Sequence, residues 1–341
     1  MRKTGIRVSF VLLFCVMAVI FAYPASAADG KIVIKYGGTL PETHYSTKAM
    51  FYFKKIMEER SGGKVQVDVY TSNQIGGPRD LIEGLQFNTV QMCDNSIAAI
   101  SGFTDKAMPL SLPFLFPSRE VAFQFIDGEY GKALTEEIAK EMRVRIIGWH
   151  ENGFRQLSNN KRTIKTPADL KGLKIRVMES PLYIRTFESL GTQPTPISFA
   201  ELFTALQQGT IDGQDNPVAI FVANKYFEVQ KYMSNLNHTF DFLIYQVSED
   251  FYQGLPADIK KLYEECMTEA TAYSRKLAAE NEAADQKTAG EKIEYTFLTP
   301  EERAAFGALV TPVYDWFKKE YPHLAENVVK YQAEIARLNG K

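Results

Sequence analysis

Hydrophobic and polar positions along the chain follow two different periods, and the switches between them predict the elements. Ile32–Tyr36 is a short β-branched run that ends at Gly37-Gly38, and Val65–Tyr70 alternates with period two, so both predict strands. Residues 46–59 between them carry a helix-like pattern that stops at Ser61-Gly62-Gly63. Strand, loop and helix then recur, with Val144–Trp149 and Lys174–Val177 as further strands. Helix starts are marked at Thr166-Pro167-Ala168-Asp169, Ser198-Phe199-Ala200-Glu201 and Thr299-Pro300-Glu301-Glu302. Each offers a hydroxyl and, three residues on, an acid that together satisfy free N–H groups at the positive helix end. Residues 257–292 are rich in Ala, Glu and Lys, lack proline and hold glycine only at Gly290, which predicts one long helix or two abutting ones with a solvated charged face. The recurrence predicts an α/β chain, and 341 residues predict two domains or one large one.

The beginning of the chain breaks this pattern. Arg2, Lys3 and Arg7 precede the uncharged apolar run Val8–Tyr23, and Ala25-Ser26-Ala27 precedes Ala28-Asp29. Residues 1–27 therefore read as a secretory signal peptide. A membrane anchor needs about 20 apolar residues, whereas this run leads directly to Pro24 and a cleavage pattern. Cys15 lies inside the run rather than just after it, which argues against a lipoprotein. Export leaves Cys93 and Cys266 in an oxidising compartment. They form either one long-range disulfide or two buried small hydrophobes, and the second is favoured because a core this large needs no staple. Hydrophobic residues at 45% and charged residues at 23% exclude intrinsic disorder and a multispanning membrane protein. A net charge of -2 gives no case for a polyanion-binding surface, so nucleic acid is not an expected partner.

No nucleophile elbow, helical HExxH or phosphate loop is present, and His44, His150, His238 and His323 have no metal-ligand spacing. Neither a metal nor a cofactor is expected. His150-Glu151 would be an acid/base pair, but neighbours on a strand point to opposite faces. Two arginines are more informative. Arg155 follows the apolar strand ending at Trp149. Arg176 shares an alternation with Lys174, opposite Leu173, Ile175 and Val177, and is either solvated or positioned at a strand end to aim its planar fork at a carboxylate. The second reading makes a small organic anion the ligand. Ile211–Pro217 is either a connecting turn or a set of side-chain donors and acceptors. Phe199 is either core or an aromatic wall.

Together these segments resemble a family, the periplasmic substrate-binding proteins of tripartite ATP-independent periplasmic (TRAP) transporters of the DctP type. The likeness runs through QIGGPRDLIEGLQ (74–86), ENGFRQLSN (151–159), TPADLKGLKIRVMESP (166–181), PTPISFAELFTALQQGTIDGQDNP (194–217) and KYFEVQKY (225–232). It implies a two-lobed α/β fold of the periplasmic-binding-protein type (type II-like), with ligand in a cleft between lobes and a long connecting helix. Domain I would be 28–152 plus 242–281 and domain II 153–241 plus 282–341. Closure of such lobes about a hinge is a general property of periplasmic binding proteins. By the resemblance, Arg176 pairs with the ligand carboxylate, Arg155 lines the pocket, Asn216 hydrogen-bonds the ligand and Phe199 supplies an aromatic wall. Thr39, Asn95 and Glu179 read the rest of the ligand. Asp215 stands where many relatives have Glu. The implied role is capture of an organic acid in the periplasm and delivery to a sodium-driven TRAP permease, by a monomeric protein that is not an enzyme. The acid would be a C4-dicarboxylate, a sugar acid such as a uronate, or a keto or aromatic acid. The alternatives are an exported enzyme acting on an organic acid through His150 and Glu151, or a ligand-sensing protein of the same fold.

Overall fold

The computed structural model describes residues 30–340, so the segment 1–27, read above as a signal peptide, and Cys15 within it lie outside the described residues. The chain opens with β1 (Ile32–Gly38), α1 (Tyr45–Arg60) and β2 (Val65–Tyr70), with β1 and β2 parallel. His44 Nδ1 accepts from the Ser46 N–H at the start of α1 (3.2 Å), and left-handed Gly62 and Gly63 follow its end. Next come α2 (Pro78–Gln86) and β3 (Met92–Ser96), the latter parallel on the other edge of β1. α3 (Arg119–Asp127) and α4 (Glu129–Met142) lead into the 16-residue β4 (Val144–Asn159). A second set follows: β5 (Lys174–Val177), α5 (Pro181–Ser189), β6 (Gln193–Pro196), α6 (Leu202–Gln207), β7 (Gly213–Pro217), α7 (Val218–Ala223) and β8 (Tyr232–Ser234). β9 (Phe240–Ser248) returns, and α8 (Glu249–Gly254), α9 (Ala257–Lys292), β10 (Glu294–Thr296), α10 (Pro300–Glu320) and α11 (Ala325–Leu338) complete the chain.

The main strand order is β2-β1-β3-β9-β4-β7-β5-β6, with β8 on β4 and β10 on β8. β4 joins the two halves. Residues 144–154 pair antiparallel with β9, whereas 155–159 pair with β7. Gly153 sits in the bulge just before this change of partner at φ +104, a conformation open to glycine and costly for a side chain. α9 is one continuous helix through Gly290, and it packs on α1 and β4 of one half and on α7 of the other. α10 lies on α5 and α11 on α3. The molecule is thus a two-lobed α/β protein in which both lobes share long elements.

Packing explains where each element sits. Ile34, Tyr36, Phe53, Met57 and Tyr263 form the core between β1, α1 and α9, with edge-to-face contacts from Tyr36 and Tyr263 to Phe53. Cys93 and Cys266 are unbonded and buried in different cores.

Four sequence expectations change. Thr166 and Asp169 do form a capping box, but only a 3₁₀ turn at 167–170 follows, because left-handed Gly172 ends it before β5. Ser198 makes no side-chain cap, and a 3₁₀ turn at 199–201 runs into α6. Ile211–Pro217 is not merely a turn: its second part is the buried strand β7. β4 continues past Trp149 to Asn159 through Glu151, Asn152, Arg155 and Gln156, polar residues that are buried nonetheless.

Candidate functional site

A cavity opens where the half-sheets meet, at the carboxyl ends of the parallel strands, the usual place for a ligand in an open α/β sheet. Thr39 follows β1, Asn95 and Ser96 close β3, Arg176 lies near the end of β5, and Asn216 near the end of β7. β4 adds Asn152 and Arg155 at its change of partner, and Phe199 covers one side. Leu40, Pro78, Ala99, Met178, Ile220 and Leu243 supply apolar wall. Six of the sequence candidates, Arg176, Arg155, Asn216, Phe199, Asn95 and Thr39, therefore line one cavity. Glu179 is exposed and stands apart, in an adjoining pocket with Arg79 and Phe103 that shares Arg176, Met178 and Phe199 with the first.

The two arginines have opposite surroundings. Arg155 is 1% exposed. Its Nε donates to Asp215 Oδ2 (2.6 Å), Nη1 to Asp241 Oδ2 (2.9 Å), and Nη2 to the Asp215 carbonyl (2.5 Å) and Asn216 Oδ1 (3.3 Å). Its guanidinium also lies 5.3 Å from the Tyr183 ring centroid. Burial alone would weaken its hold on its proton, but Asp215 and Asp241 outweigh that and hold it above its ordinary range. Burial likewise acts to raise the Asp215 carboxyl, yet Arg155 and His238 hold it well below the usual range. Asp241 is pushed up by burial despite Arg155, Asn152 and Ser96. Arg155 is thus a charge already matched.

Arg176 is not matched. It is 2% exposed, and its Nε donates to the Ile197 carbonyl (2.8 Å). Its Nη1 is buried with no hydrogen-bond partner among the described residues, and no carboxylate forms an ion pair with it. Burial pushes its pKa down to about 10, opposed by Asp215 and reinforced by Arg155. An unpaired buried guanidinium is costly unless something negative completes it.

Sequence reasoning missed several neighbours. Asn152 lines the cavity and donates from Nδ2 to Asp241 Oδ2 (2.6 Å), and the Ser96 hydroxyl donates to both Asp241 oxygens (2.9 Å each). Asp241 therefore ties β3 and β4 to Arg155. Asn216 Nδ2 donates to Gln214 Oε1 (2.5 Å), and Gln214 Nε2 to Ser158 Oγ (2.8 Å), which rigidifies β7 behind the cavity. A lone Ser or Asn at a strand end has no periodic signal that would expose such a role.

His150 and Glu151 lie elsewhere. His150 is buried between Asp94 (3.0 Å) and Ser274 (2.9 Å) and stacks on Tyr245, while Glu151 pairs with Arg119 (2.7 Å). Neither lines the cavity. Among the described residues no group of His, Cys, Asp and Glu side chains is arranged to hold a metal ion.

Comparison with known proteins bears on the family and the fold. Residues 36–320 match the family described as DctP, bacterial extracellular solute-binding protein, family 7. The C4-dicarboxylate-binding periplasmic protein DctP of Rhodobacter capsulatus is 33% identical over 303 residues, covering 87% of this chain and 90% of its own length. The 2,3-diketo-L-gulonate-binding periplasmic protein YiaO of Escherichia coli K12 is 31% identical over 297 residues, with 86% and 89% covered. The crystal structure of a TRAP periplasmic solute-binding protein from Shewanella oneidensis with bound succinate aligns with a TM-score of 0.85 at 29% identity, covering 89% of this chain and 99% of that one.

Proposed function

Because the chain belongs to the DctP family of bacterial extracellular solute-binding proteins, the TRAP substrate-binding type, we propose that it captures a small organic acid by pairing the carboxylate with Arg176. The observation that carries this reading is the buried Arg176 guanidinium, whose Nη1 has no partner. Asn216 and the matched Arg155 add fixed donors, Phe199 shields the pair from water, and Thr39 and Asn95 meet the remainder of the ligand. Glu179, exposed at the mouth in the adjoining pocket, contributes only weak contact.

The domains at 28–152 plus 242–281 and 153–241 plus 282–341 close over the acid about β4, β9 and α9. Closure lowers the local dielectric and strengthens the charge pair. A charge-assisted hydrogen bond contributes roughly 1.5 to 3 kcal/mol net. Two or three such bonds plus buried apolar area, less the cost of association, suit an affinity near micromolar, about -8.2 kcal/mol. The leader at 1–27 takes the chain to the periplasm, where it acts as a monomer that hands the acid to a sodium-driven TRAP permease and does not transform it.

Thermal-shift screening of the ligand-free protein, residues 28–341, against an organic-acid library tests this directly, since a ligand that binds only the folded state raises the melting temperature. A rise with a carboxylate class is expected. No rise with any carboxylate, for folded ligand-free protein, refutes the reading.

A further inference from the structure

Resting on the pairing of a carboxylate with Arg176, we infer that the ligand is a hydroxylated monocarboxylate: one carboxylate for Arg176 and hydroxyl groups for the carbonyl oxygens of Asn152 and Asn95. The family does not decide this, because similar proteins are named for a C4-dicarboxylate and for a diketo sugar acid alike. The donors, acceptors and charges of this chain do.

Consider charge first. Arg155 and Arg176 are the two cations lining the cavity. Arg155 is held by Asp215 at 2.6 Å and Asp241 at 2.9 Å, so its charge is compensated within the protein. Arg79 belongs to the adjoining pocket, where its Nε meets Glu83 at 2.9 Å and Glu179 stands nearby on the wall. Arg176 remains as the cavity's cation with no carboxylate paired to it among the described residues. A second carboxylate in the same cavity would be buried without a counterion and would add to the negative charge of Asp215 and Asp241, an arrangement that costs far more than it returns.

The polarity of the amides points the same way. Asn152 donates from Nδ2 to Asp241 Oδ2 (2.6 Å), and a carboxylate that is ionised accepts only, so this contact fixes which end of the amide is oxygen. Asn152 Oδ1 is then a committed acceptor, and it is buried without a partner. Asn95 Oδ1 is also buried and unpartnered, with its Nδ2 near the Pro78 carbonyl and Cys93 Sγ. A carbonyl oxygen needs a donor opposite it. A hydroxyl supplies one, whereas an ionised carboxylate presents only further acceptors and a methylene presents nothing. The side chains thus ask for an anion at Arg176 and O–H groups at the asparagines. Rejection of an analogue that leaves buried polar groups unpaired is stronger than rejection based on shape alone.

Calorimetric titration of the ligand-free wild-type protein with two matched sets of acids tests the inference. One set is butyrate, succinate and erythronate, the other hexanoate, adipate and gluconate, with erythritol and sorbitol as uncharged controls. In at least one set the polyhydroxy monocarboxylate should bind at least tenfold more tightly than both the diacid and the unsubstituted acid. If the diacid or the unsubstituted acid of each set matches or exceeds the hydroxy acid, the inference fails while pairing at Arg176 stands. If no acid of either set binds, or the uncharged polyols bind as tightly as the acids, the pairing itself fails and this inference with it.

Discussion

Replacing Arg176 with methionine removes the charge, keeps an unbranched side chain of related length, and separates two effects that an alanine would confuse. The guanidinium is buried without a counterion among the described residues, and burial lowers its pKa from the ordinary arginine value to about 10. At about 1.4 kcal/mol per pKa unit, the charged form costs this fold roughly 3 kcal/mol when no anion meets it. At neutral pH the group is protonated both folded and unfolded, so the whole cost is present. Against this, the variant loses the bond from Arg176 Nε to the Ile197 carbonyl (2.8 Å), and an orphaned carbonyl costs about 1 kcal/mol. The net is a gain of roughly 2 kcal/mol, and in a chain of this size, at about 1.5 °C per kcal/mol, that raises the melting temperature by about 3 °C. Binding changes the other way. Loss of a charge-assisted pair worth roughly 3 kcal/mol weakens the acid about 100-fold. Scanning calorimetry of protein refolded free of ligand measures the first effect and isothermal titration the second. A variant that melts several degrees below the wild type without ligand, or that keeps its affinity within threefold, refutes the argument.

Three further outcomes follow from the same structure. Asp215→Asn strips Arg155 of its nearest carboxylate and His238 of its partner (3.1 Å), and breaking a buried pair by removing one member costs about 3 to 5 kcal/mol; denaturant unfolding should show a midpoint well below the wild type, and an unchanged midpoint would contradict the pairing. Glu179→Ala at the exposed mouth should leave the affinity for the acid within threefold by titration, far less than the loss at Arg176. Asp285 is raised to about 6 by burial, against the pull of Lys48 and with repulsion from Glu282. A raised carboxyl contributes stability that is complete below the ordinary carboxylate range and is lost as pH rises through about 6. Asp285→Asn should remove that loss, so the fall in stability from pH 4 to 7 becomes shallower in urea titrations; parallel curves for the two proteins would contradict it.

Much of the scaffold was legible because its signals are local. Period two marks β2 over Val65–Tyr70, and Thr299 with Glu302 caps α10 through a 2.7 Å bond from the Thr299 N–H to Glu302 Oε2. The residues that line the candidate cavity were legible through the motifs, but their charge pairing was not. Alternation groups Arg176 with Lys174, yet Lys174 is exposed and Arg176 is buried, because the strand runs inward beneath the 197–199 segment. That Arg155 is neutralised depends on Asp215 and Asp241, 60 and 86 residues further along. Ser96 meets Asp241 across 145 residues, and Asn152 reaches the same carboxylate. Such contacts arise only when β9 returns between β3 and β4, a topological event that no window of sequence contains. The stretch from Asn152 to Asn159 was obscure for a related reason: its polar side chains are buried against distant partners, Asp241 for Asn152, Asp215 for Arg155, Asn237 for Gln156 and Gln230 for Ser158, rather than left in water.

A crystal structure of the protein with the tightest-binding acid from the screen tests most directly the proposed pairing of Arg176 with a carboxylate. A carboxylate oxygen should lie about 2.7 to 2.9 Å from Arg176 Nη1, the usual separation for a charge-assisted pair, with the Arg155 contacts to Asp215 and Asp241 unchanged. A carboxylate seated on another cation, with Arg176 Nη1 still unpartnered, would contradict it.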